Sequence, residues 1–134
     1  MTKTAQQPLA RTASPPTAAR SPGREYAIDT VHLSRMTLGD RSLEFEVLEL
    51  FERQAELLLA RMNEVPPAGV ATLAHTLTGS ARGIGAWRVA EAAEELERAV
   101  REKPDLVPAL ARLATAVEEA RLTIGGLLKD VSPA

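Results

Sequence analysis

A chain of 134 residues has room for one domain and a tail, and it is too short for a kinase. Only 3% of the residues are aromatic, while alanine, leucine, glutamate and arginine dominate, so the composition favours helix over strand. The absence of cysteine excludes a disulfide framework and a thiolate metal site, and no apolar run approaches the length of a membrane span. The net charge of −2 hides a split: +3 over residues 1–27 (Lys3, Arg11, Arg20 and Arg24 against Glu25) and −5 over the rest, and an acidic folded part argues against nucleic-acid binding.

Residues 1–27 carry Pro8, Pro15, Pro16 and Pro22 among Ser, Thr, Ala and Gln. They hold too little apolar surface to offset the entropy of ordering, so a disordered basic tail is expected. Its Arg-rich, acid-poor makeup is shared with transit peptides, but a plain flexible extension is the simpler reading. No secretory apolar region follows Met1, so a cytoplasmic location is expected.

The folded domain is expected over residues 28–131. A short helix is predicted from Thr30 to Met36, capped by Asp29 or Thr30, with Val31 and Met36 covering one end of a bundle. His32 lies here without a motif and is read as structural. Gly39-Asp40 punctuates the chain, and Asp40 caps a helix running to about Asn63. In it Leu43, Val47, Leu50, Phe51, Leu57, Leu58 and Met62 follow helical spacing, and Glu44, Glu46, Glu49, Glu52 and Glu56 fill much of the rest. A carboxylate stripe serves a di-metal centre only with Glu-x-x-His motifs on partner helices; none occurs, so a solvated face and no metal are expected.

Val65-Pro66-Pro67-Ala68-Gly69 reads as a turn, and the next helix ends near Gly83 or Gly85. A third long helix is predicted from Trp87 to Glu102, with Val89, Ala92, Ala93, Leu96 and Val100 inward and Trp87 half-buried. Glu97 and Arg101 make a favourable i,i+4 pair on it. Lys103-Pro104-Asp105 breaks the chain, and a last helix spans about Leu106 to Leu128, with Pro108 tolerated in its first turn. Its seam is Leu106, Leu110, Leu113, Val117, Ile124 and Leu128. Four such helices on short connections predict an all-α fold, an antiparallel up-down-up-down four-helix bundle with a short extra N-terminal helix. A monomer is expected, although exposed apolar surface on such a bundle can support dimerisation.

The stretch from Ala74 to Ala86 carries the chemistry. At about 100° per residue from Leu73, residues Leu77, Ala81 and Ile84 fall at roughly 40°, 80° and 20°, a single apolar stripe. His75, Arg82 and Gly79 fall at roughly 200°, 180° and 240°, opposite the stripe. Gly79 removes side-chain bulk one turn beyond the imidazole. A mid-helix glycine costs about 1 kcal/mol against alanine, which makes sense where something approaches the backbone closely.

His75, Leu77, Gly79, Ser80, Ala81, Gly85, Ala86, Leu96 and Glu97 match a known pattern: His-x-Leu-Lys-Gly, small residues, a Gly-Ala pair and a helix ending in Leu-Glu. The stretch resembles the histidine phosphotransfer (HPt) domain of bacterial multistep phosphorelays, and the lead-in from Ile28 to Leu33 with Leu38-Gly39-Asp40 is similar too. The resemblance covers about Ile28 to Val131. It departs at Thr78, where the family usually has a lysine thought to offset phosphoryl charge. Arg82 keeps a cation on the histidine face, about 10 Å from His75 along the axis, and Arg and Lys present charge differently.

The resemblance implies that His75 accepts a phosphoryl group from the phospho-aspartate of a receiver domain and passes it to another response regulator, with a hybrid histidine kinase upstream. Mg²⁺ is expected on the partner receiver, and no cofactor on this chain. In that scheme Gly79 lets the receiver approach, Arg82 offers charge, Thr78 donates a hydrogen bond where the family has a cation, and Glu97 or Arg101 orients the imidazole. No Gly-rich nucleotide loop or kinase lysine motif occurs, so a relay intermediate and not an enzyme is expected. The alternative is a non-phosphorylated module of the same shape that sequesters a receiver or kinase.

Overall fold

The computed structural model describes residues 26–131; residues 1–25, nearly all of the expected tail, lie outside the described part. Five helices follow one another: α1 (Thr30–Met36), α2 (Arg41–Met62), α3 (Pro67–Ile84), α4 (Trp87–Glu102) and α5 (Val107–Val131). Among the described residues there is no strand. Each long helix packs against its chain neighbours, and α2 also meets α5, so the chain runs up-down-up-down and closes a four-helix ring. The short α1 touches α3.

Local chemistry sets the boundaries. Asp29 caps α1 by accepting from the His32 backbone N–H at 3.0 Å, and Asp40 does the same for α2 through Leu43 at 3.0 Å. Pro67 opens α3, where its missing N–H leaves nothing unsatisfied, so Pro67, Ala68 and Gly69, expected in the turn, form the first helical turn instead. Gly85 ends it in the left-handed region at φ +82°, and the Ala86 N–H reaches back to the Ala81 carbonyl at 2.8 Å. The last helix begins one residue later than expected and runs three residues further, to Val131.

The core joins all five helices and includes Leu33, Leu48, Phe51, Leu77, Val89, Leu96, Leu113 and Ile124. The α3–α4 contact is the most extensive. Its reason is small side chains: Ala74, Ala81, Ala90 and Ala93 are buried there, and they let two helix axes approach closely. That close pairing fixes α4 beside the outward face of α3.

Three expectations need correction. Val31 and Met36 do not cover the bundle; both are exposed, and Ile28 and Leu33 are buried instead. On α2 the apolar positions split into two stripes. Leu48, Phe51, Ala55, Leu58 and Met62, spaced by three and four, enter the core, while Leu43, Leu50 and Leu57 stay exposed. The expected solvated carboxylate face is partly engaged: Arg121 of α5 reaches Glu52 at 3.6 Å and Glu56 at 3.0 Å.

Candidate functional site

His75 lies midway along α3 with 77% of its side chain exposed. The α3 residues that enter the core are Val70, Ala74, Leu77, Thr78, Ala81 and Ile84. At 100° per residue their centre lies roughly 130° from His75 and 165° from Gly79, so both face outward. A Cβ built on Gly79 would meet nothing within 4 Å. The fold itself therefore has no steric need for glycine at this position.

Across the α3–α4 seam, Glu97 Oε2 lies 3.3 Å from His75 Nδ1. A carboxylate at that nitrogen favours the tautomer with the proton on Nδ1. Nε2, on the opposite edge of the ring, then keeps its lone pair and points away from α4. His75 and Glu97 line a shallow depression with Ala71, Thr72 and Thr76. An exposed imidazole is thus carried by α3 and met by a carboxylate of α4.

The remaining candidates fall in different places. Thr78 is not on this surface: it is buried, and its hydroxyl donates to the Ala74 carbonyl at 3.0 Å. It cannot offer a hydrogen bond to a docked phosphoryl group, because α3 has turned it into the core. Arg82 is exposed but not free, since its guanidinium is held by Glu94 of α4. Glu97 is paired with His75, and no ion pair joins it to Arg101 among the described residues. Arg101 is exposed one turn beyond Glu97 on the same face of α4, without an ion-pair partner among the described residues.

Glu94 was not singled out from the sequence. Its signal is spacing, because Glu94, Glu97 and Arg101 stand at i, i+3 and i+7 and share the face of α4 that meets the outward side of α3. A second long-range tie lies at the α3–α4 turn. The Trp87 indole N–H donates to Asp29 Oδ2 at 2.9 Å, and the Asp29 backbone N–H donates to the Gly85 carbonyl at 2.9 Å. Burial raises the Asp29 carboxyl pKa, but the hydrogen bonds from Trp87 and the His32 N–H outweigh it and hold the group below its ordinary value of 3.8. His32 packs edge-on against Trp87 at 4.9 Å, a structural role. Among the described residues no group of three or more His, Cys, Asp or Glu is placed to hold a metal, and no helix is long and apolar enough to cross a membrane.

The site is thus an outward histidine, beside a carboxylate, on the second long helix of an antiparallel bundle. The family model for the Hpt domain matches residues 46–123, more than half of the chain and all of the site, and the protein belongs to the Hpt domain family. No curated protein and no solved structure matches it.

Proposed function

We propose that this chain is a phosphorelay carrier whose His75 accepts a phosphoryl group from the phospho-aspartate of a receiver domain and delivers it to the aspartate of another response regulator. The observation that carries the reading is the 3.3 Å contact between Glu97 and Nδ1 of an otherwise exposed imidazole. Nε2 attacks the phosphorus of the acyl phosphate, the P–N bond forms as the P–O bond breaks, and the aspartate leaves as carboxylate. The Nδ1 proton stays on the ring, and the Glu97 carboxylate 3.3 Å away offsets the positive charge that develops on the phosphorylated ring. Return transfer to a second receiver runs through the same geometry in reverse.

The chain's own contribution is positioning, the main requirement in phosphoryl transfer. Leu77 and Ile84 anchor α3 in the core, Gly79 admits the receiver backbone, and Arg101, exposed one turn from Glu97 on α4, offers a positive charge. The receiver brings Mg²⁺ and the aspartate. Upstream partners are a hybrid histidine kinase and its receiver, in a bacterial cytoplasm, and the transferring species is the monomer. The chain carries the group and has no kinase activity of its own.

Incubation with a phosphorylated receiver tests this. Wild type should acquire an acid-labile, base-stable phosphoryl group and His75→Gln should not; labelling of the variant at wild-type level would remove His75 as the site. One observation favours a second reading, a module that binds a receiver without accepting phosphate: buried Thr78 places no cation beside His75. Receiver binding by wild type without any labelling would select it.

A further inference from the structure

Thr78, the hydroxyl expected at the phosphoryl group, is buried with its proton on the Ala74 carbonyl. A different hydroxyl stands on the face of His75. Thr72 is exposed, lies one turn before His75 on α3, and lines the same shallow depression as His75 and Glu97. Residues three apart on a helix are neighbours, with Cβ atoms about 5–6 Å apart. Helical side chains also lean toward the N-terminus, so the imidazole lies over the turn that carries Thr72.

The flank on which Thr72 stands decides which ring nitrogen it serves. With His75 at zero and about 100° per residue, Ala74 and Ala81, buried in the α3–α4 seam, fall at roughly −100° and −120°, and Thr72 falls at roughly +60°. Glu97 meets Nδ1 from the α4 side. Thr72 therefore flanks the opposite edge of the ring, where Nε2 lies. Its hydroxyl donates to the Ala68 carbonyl at 3.3 Å, long against about 2.7–2.8 Å for a good O–H···O bond. Ala68 is exposed, so the hydroxyl proton can turn away without stranding a buried acceptor. Thr76 donates to the Thr72 carbonyl at 3.2 Å, but as the residue adjacent to His75 it does not face the ring.

We infer that Thr72 is a phosphoryl-binding residue: its hydroxyl turns from Ala68 and donates a hydrogen bond to an oxygen of the phosphoryl group on Nε2 of His75. The inference rests on His75 as the acceptor, the reading proposed above. Thr72 transfers no proton. The P–N bond forms and the donor's bond to phosphorus breaks as before, while the hydroxyl follows the charge on the phosphoryl oxygens. A hydrogen bond to a charged oxygen is stronger than one to a peptide carbonyl, so the exchange of partners is favourable once the group is in place.

Potassium phosphoramidate, a small phosphoryl donor that needs no receiver, tests this on the full chain. Wild type should acquire the group on His75. Thr72→Val should acquire it about ten-fold more slowly, the loss of roughly one hydrogen bond to a charged group, and should shift the phosphorus resonance of the phosphohistidine. Thr72→Ser should restore both the rate and the resonance. Thr76→Val should stay within about two-fold of wild type, and all three variants should melt as wild type does. A Thr72→Val variant labelled at the wild-type rate, a Thr72→Ser variant as slow as Thr72→Val, or a Thr76→Val variant equally slow would each overturn the inference and leave the carrier reading standing. Labelling of wild type by phosphoramidate but by no phosphorylated receiver, with Thr72→Val still slow, would support the inference and sink the carrier reading.

Discussion

Replacing Gly79 with alanine should make the protein more stable and a worse phosphoryl acceptor. Gly79 lies in regular α3, away from the positive-φ positions at Leu38, Gly39 and Gly85, and a Cβ there meets no atom within 4 Å. Alanine therefore gains its full helix preference, about 1 kcal/mol, partly by restricting the unfolded chain. For a folded unit of this size that corresponds to a melting temperature about 4 °C higher. If a receiver backbone closes on that spot, the added methyl overpacks the docked interface. Overpacking costs about 1–3 kcal/mol, which is roughly a 5- to 150-fold slower transfer. The assay pairs thermal unfolding by circular dichroism with single-turnover transfer from a phosphorylated receiver. A lower melting temperature would show that the fold itself needs glycine. A higher one with transfer changed by less than about two-fold would refute the close approach.

Gly85→Ala should have the opposite sign for stability, because φ is +82° and the new Cβ would sit 2.9 Å from the Asp29 carbonyl oxygen. The left-handed conformation and the contact together cost about 2–4 kcal/mol, read by urea unfolding. Asp29→Asn should lose charge-assisted hydrogen bonds to Trp87 and the α1 cap, about 1–3 kcal/mol. The wild-type carboxyl is held below 3.8 in the folded state, so its stabilisation is present above that pH and is lost as pH falls through the lower, folded-state value. Acid unfolding followed by Trp87 fluorescence should show this loss in wild type and not in the Asn variant. Glu97→Gln should slow transfer by about ten-fold, as loss of an orienting carboxylate does, while an exposed pair of this kind contributes about 1 kcal/mol or less to stability; an unchanged rate would show that His75 needs no orientation.

The helices could be read from the sequence because their punctuation is local. Asp29, Asp40 and Gly85 each act within one turn of their own position. What the sequence hid is which of two faces wins. On α2 both the Leu48–Phe51–Ala55–Leu58–Met62 stripe and the Leu43–Leu50–Leu57 ridge satisfy helical spacing, and only the positions of α3 and α5 decide between them. Thr78 shows the same limit at finer scale. Counted from Leu73, which is only half-buried, Thr78 falls at roughly 140° and reads as flanking; counted from fully buried Ala74 it falls near 40°, inside the core. His75 and Gly79 were legible because they lie far from either reference. The partners of His75, Arg82 and Trp87 were harder, since Glu97, Glu94 and Asp29 come from other segments and no periodicity links them.

The tie between Asp29 and the Gly85–Trp87 turn also bears on the order in which the chain folds. Most of the bundle's contacts join consecutive helices, which form rapidly. The Asp29–Trp87 bond closes a loop of 58 residues, so its entropy cost falls late. The segment from Ile28 to Met36 should dock last and open first, as a separate cooperative unit. Its amide protons should exchange with solvent faster than those of α3 and α4. The single tryptophan sits on that seam, so its emission follows this local opening while the helix signal stays constant.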